Sequence, residues 1–202
     1  MTALLAPPSR PFAATIAPLS DAVRARITGV SWRDDRRCPR YDELAYVTVA
    51  HVTMTGEVGE GELVVAAALA VRAVELFRRL YAIGFPIRQI HLVDDYGASD
   101  DASMAADNSS AFNFRVVAGT DVLSQHARGR AIDLNPVENP WRKPDRIEPP
   151  AGIEYADRRK IRHGMIVRPG PIVAALDELG WEWGGDWQHA RDDHHVVWSR
   201  AL

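Results

Sequence analysis

Apolar residues recur along the chain with two different spacings, and the change from one to the other marks out the elements. Tyr46 to Met54 is rich in β-branched residues and predicts a strand. Gly56, Gly59 and Gly61 follow it and predict the loop that ends it. From Glu62 to Tyr81 the spacing lengthens. Leu63, Ala67, Ala70, Val74, Phe77 and Tyr81 form one stripe, the signature of an amphipathic helix, which Gly84 and Pro86 stop. Ile87 to Val93 predicts a second strand. Phe112 to Val117 predicts a third, with Phe112 and Phe114 on one face and Asn113 and Arg115 on the other. Arg130 to Leu134 predicts a fourth and His195 to Trp198 the last. Between them Pro171 to Leu179 predicts a short helix closed by Gly180.

The acidic, small-residue stretch Asp94 to Ser110 and the proline-rich stretch Asn139 to Pro150 predict loops. Strands outnumber helices and do not alternate with them. The expected class is therefore α+β, a small and mainly antiparallel sheet packed by a few helices. Pro7, Pro8, Pro11 and Pro18 predict an extended N-terminal arm over residues 1–40, leaving 41–202 as the folded domain.

Composition narrows the function classes. The net charge of −3, with arginines scattered among acids, gives no basic field for nucleic acid or anionic lipid. Cys38 is the single cysteine, which excludes an internal disulfide and any cysteine-built zinc site. No apolar run is long enough to span a bilayer. Met1 to Leu19 makes a poor signal peptide, because no Lys or Arg precedes its apolar part and prolines interrupt it. No cleaved signal is expected, and the sequence leaves the compartment open between the cytoplasm and export by a non-standard route.

Two polar clusters carry the candidate chemistry. The first runs from Ser124 to Pro136 and holds His126 and Asp133; the second is Asp192-Asp193-His194-His195. Imidazole nitrogen and carboxylate oxygen are atoms that zinc accepts, and two histidines with one carboxylate leave a position open for water. His126 and Asp133 are an odd number of residues apart, so an unbroken strand would point them to opposite faces. Gly129 can break the strand and bring them together. Asp192 and His195, three apart in a turn, can reach one centre. His195 would hold a metal and Asp192 would take a proton from water. His194 and Asp193 can exchange these roles with their neighbours, although His194 is expected to face away from His195.

Arg115 shares its face with Asn113 and suits a substrate carboxylate or a developing oxyanion. Ser124 can orient His126 or bond the substrate, but has no general base that would make it a nucleophile. The plain alternative for each of these side chains is an ordinary solvated residue. His51, His91, His163 and His189 are expected to be surface or internally satisfied histidines.

The combination Ser124-x-His126-x-x-Gly129-x-Ala131-x-Asp133, Trp183-Gly184-Gly185-Asp186-Trp187 and Asp192-x-x-His195 resembles the zinc D-alanyl-D-alanine carboxypeptidase and L-alanyl-D-glutamate endopeptidase family, on its endolysin-like branch. The likeness extends over roughly Tyr46 to Trp198. It implies zinc bound by His126, Asp133 and His195, and Asp192 as general base. Arg115 would steady the substrate or tetrahedral intermediate; Asn113 and Ser124 are expected beside the substrate from their own placement in the sequence. It also implies the small α+β fold shared with the hedgehog signalling domain. The implied substrate is a peptidoglycan stem peptide or another D-amino-acid peptide. Val196 and Arg128 depart from the family's usual aromatics, and neither is an implied ligand. Two other readings are a zinc-carrying module that binds peptide or glycan without catalysis, and a metal-dependent nuclease. The retained Asp192 weighs against the first and the acidic balance against the second.

Overall fold

The computed structural model describes residues 4–201 other than 6, 7 and 189, so His189 lies outside the described residues. The chain is α+β, with its strands in three separate three-stranded antiparallel sheets rather than one. The first sheet contains β1 (Ala14–Pro18), β2 (Leu44–Val52) and β3 (Val58–Ala66). The N-terminal segment is extended where β1 lies, but as an edge strand paired with β2. It then turns into helix α1 (Asp21–Ile27), whose N-cap Ser20 accepts the Val23 N–H. Leu19 and Ile27 are buried, so apolar burial ties this segment to the body despite its prolines.

The expected helix from Glu62 is really a strand followed by a helix. Residues up to Ala66 continue β3, and α2 spans Ala70–Ile83, ending at Gly84 with φ 75°. Gly59 and Gly61 belong to β3 and not to a loop. An added Cβ at Gly61 would stand 2.4 Å from Ile90 Cβ, and one at Gly59 would stand 2.7 Å from the His51 ring. These glycines permit close side-chain approach inside a strand. The helix buries Ala73, Leu76, Phe77 and Leu80 against Val47, Val49, Leu63 and Val65 of the sheet. Helix α4 (Pro171–Leu179), capped by Gly180 with φ 82°, closes the same core.

Ile87–Val93 and Phe112–Val117 are not strands. They run irregularly, held by isolated bridges such as Ile90 to Ser109 and Val116 to Leu123. The expected Asp94–Ser110 loop contains helix α3 (Asp100–Ala105), with Ser99 capping the Ala102 N–H. The expected 139–150 loop contains the short strands β5 (Trp141–Arg142) and β6 (Ile147–Glu148).

The sheet that matters for chemistry is β4 (Ala131–Asp133), β9 (His195–Val197) and β7 (Glu182–Trp183), in the order β4-β9-β7. The third sheet orders β6-β5-β8, with β8 at Arg191–Asp192. In β4 and β9, Ile132 pairs with Val196 and both are core residues. The next pair, Asp133 with His195, falls on the opposite face by strand alternation. No described helix is long and apolar enough to cross a membrane.

Candidate metal centre

His126 does not lie on β4. It opens a 3₁₀ turn (His126–Arg128) that ends at Gly129 with φ 64°. An added Cβ on Gly129 would meet Ala66 N at 2.4 Å, where the Ala66 N–H donates to the Gly129 carbonyl at 2.9 Å. Glycine is therefore required twice here, for the left-handed backbone and for contact with β3. The Ser124 hydroxyl accepts the His126 N–H at 3.2 Å, so Ser124 shapes the turn that carries the histidine.

The turn folds His126 over the β4–β9 pair. His126 Nε2 lies 3.2 Å from His195 Nδ1 and 3.2 Å from Asp133 Oδ2. His195 Nδ1 lies 3.1 Å from Asp133 Oδ1. One ligand atom from each residue falls within a single 4.8 Å group. Zinc bonds of about 2.0–2.1 Å at tetrahedral angles put ligand atoms about 3.3 Å apart, so the observed spacings suit that ion. His126 Nδ1 lies 2.6 Å from the Ala111 carbonyl. A carbonyl can only accept, so Nδ1 carries the proton, and a neutral ring then turns the Nε2 lone pair toward Asp133 and His195.

Burial opposes charge on Asp133, but His126 and His194 outweigh it and hold its carboxyl well below the usual carboxylate range. An ionised carboxylate and imidazole lone pairs are the forms in which such groups bind a cation.

Asp192 stands beside this centre, with Oδ1 2.9 Å from His194 Nε2. His194 does not face away. Its Nδ1 lies 2.8 Å from the Asn139 carbonyl, and its Nε2 is also 3.9 Å from Asp133 Oδ1. One imidazole thus spans the two carboxylates. Burial works against charging His194, yet Asp192 and Asp133 raise its pKa to about 10. Asp193, the other candidate for exchange, is committed elsewhere. It is fully buried in a double contact with Arg142 (2.5 and 2.9 Å) and within 3.3 Å of Arg158.

Arg115 and Asn113 converge, but through a residue the sequence pattern does not single out. Asp100, on α3, accepts from Asn113 Nδ2 at 2.8 Å and pairs with Arg115. Burial opposes charge on His126, but the Asp133 carboxylate outweighs it and holds the imidazole above its usual range; the Arg115 guanidinium offsets part of that rise. Trp187, an exposed aromatic, lies 5.3 Å ring to ring from His195. His51 is remote in role. It is buried over Gly59 with Nδ1 unpartnered among the described residues, and burial pushes its pKa down to about 4. A second group, Glu62, His91 and Asp95, also brings ligand atoms within 4.8 Å of one another. Arg26 occupies it, bonding both carboxylates.

Residues 118–198 match the family model described as D-alanyl-D-alanine carboxypeptidase. The matched stretch contains Ser124, His126, Asp133, Asp192 and His195; Asn113 and Arg115 lie outside it. No curated protein and no solved structure gives a significant match.

Proposed function

From the family of residues 118–198 and the His126–Asp133–His195 cluster, we propose that the protein is a zinc-dependent metallopeptidase. Its substrates are the stem peptides of bacterial peptidoglycan or similar D-amino-acid peptides. It cuts as a D-Ala-D-Ala carboxypeptidase or an L-Ala-D-Glu endopeptidase, and its unit runs from about residue 41 to 202 in a hedgehog-type fold, with β1 of the N-terminal segment added as an edge strand. The observation that supports this best is the convergence of three residues from separate chain segments: His126 Nε2 and His195 Nδ1 lie 3.2 Å apart, and each lies 3.1 to 3.2 Å from one of the two Asp133 oxygens.

His126 Nε2, His195 Nδ1 and an Asp133 oxygen would hold the zinc. Zinc held there acts as a Lewis acid and lowers the pKa of water to about 7. The chain's own groups supply the rest. Asp192 accepts a proton from the attacking water and returns it to the leaving amine nitrogen. His194, anchored on the Asn139 carbonyl, keeps the Asp192 carboxylate turned toward the centre. Arg115, oriented by Asp100, offers its guanidinium to the substrate carboxylate or to the oxyanion of the tetrahedral intermediate. Trp187 covers one side of the bound peptide.

Purified protein incubated with peptidoglycan and with D-Ala-D-Ala dipeptide tests the reading. Release of D-alanine or of new amino termini, abolished by chelator and restored by zinc, is expected. Zinc bound without any release would instead favour a binding module.

A further inference from the structure

Away from the histidine cluster, a cavity of about 530 Å³ is lined by Arg36, Arg37, Arg128 and Arg130, with Glu43 the one acidic side chain in its wall. This is the size of a small-molecule site. The arginines arrive from separate stretches of chain, residues 36–37 and 128–130, and Ala66 to Ala68 complete the lining between them in sequence.

Among the described residues, Arg37 pairs with Asp35 at 2.8 Å, whereas Arg36, Arg128 and Arg130 have no carboxylate within salt-bridge distance. Glu43 accepts the Arg40 backbone N–H at 2.8 Å, so part of its capacity is spent locally. Like charges lining one cavity repel, and Glu43, the one carboxylate in the wall, makes no salt bridge to any of these guanidinium groups. The backbone that carries two of these arginines is fixed. Arg128 and Arg130 flank Gly129, whose carbonyl is bonded to Ala66 N–H and whose φ of 64° leaves little freedom.

We infer that this arginine-lined cavity is a binding site for a phosphate-bearing ligand, distinct from the zinc centre. A phosphate monoester carries nearly two negative charges and three acceptor oxygens, which several guanidinium forks can share. A single carboxylate would leave most of the positive charge uncompensated. The inference stands independently of the peptidase reading, since Arg36 and Arg130 are not part of that centre.

Calorimetric titration of the full chain with glycerol 3-phosphate at low salt tests it, with glutarate as the carboxylate comparison. Saturable phosphate-ester binding is expected, tighter than glutarate by about tenfold. The double variant Arg36→Gln/Arg130→Gln should weaken it by about tenfold or more while zinc content stays unchanged. Arg36→Gln alone, which alters an exposed side chain, should weaken it about threefold and serves if the double variant fails to fold. Absence of binding to the wild-type chain, equal affinity for glutarate, or variants that bind like wild type would overturn the inference.

Discussion

Asp133 and His195 are direct partners across two antiparallel strands, and Asp133 Oδ1 lies 3.1 Å from His195 Nδ1. The preceding pair, Ile132 and Val196, is sealed in the core, so the register that builds the hydrophobic centre also sets the two polar side chains together. A slip of one residue would bury the carboxylate and expose the isoleucine. The site is thus held by the same packing that holds the fold.

Replacing Asp192 by asparagine keeps the shape and removes the proton acceptor. The expected result is a fall in kcat of about a hundred- to ten-thousand-fold with zinc content unchanged. Steady-state assays on peptidoglycan with parallel metal analysis check it. Loss of zinc together with activity would show that Asp192 serves the metal instead.

Asp100 holds both Asn113 and Arg115. Asp100→Ala is expected to lower kcat/KM about tenfold and Arg115→Ala about a hundredfold. Because the first acts through the second, the double variant should lose little more than Arg115→Ala alone. Additive losses would separate the two residues.

Gly129→Ala places a methyl group against Ala66 N and forces a side chain into left-handed backbone. A loss of about 2 kcal/mol or more in denaturant unfolding is expected. Unchanged stability would mean that the His126 turn is not anchored on β3.

These cases show what the sequence made legible. His126, Asp133 and His195, which the fold brings together, could be named because ligand chemistry and motif spacing are local properties. Asp100 could not, since it acts through contacts between segments far apart in the chain. His194 could be named, but its expected direction is wrong, because it sits at a turn whose direction no alternation predicts. The Glu62–Tyr81 stripe merged a strand with a helix because Leu63 happens to fall on the helical period. Gly59 and Gly61 read as loop residues because the tight approach of His51 and Ile90, which demands them, is long-range. Phe112–Val117 alternates like a strand yet has no strand neighbour to pair with in sequence register.

Buried His51 gives a pH prediction. Its pKa falls from 6.5 to about 4 because burial disfavours the charged ring. The unfolded chain therefore binds the proton more readily. Stability is intact above pH 6.5, declines as pH falls toward 4, and flattens below. The loss by pH 5 is about 2 kcal/mol. His51→Leu should flatten the dependence of melting temperature on pH between 7 and 5, and a dependence as steep as wild type would contradict it.

The most direct measurement of the central claim is an equilibrium zinc titration against a competing chelator. The account predicts one zinc per wild-type chain, and affinity reduced about a hundredfold or more in each of His126→Ala, Asp133→Ala and His195→Ala. A wild-type chain that takes up no zinc, or three variants that bind it as tightly as wild type, would contradict it.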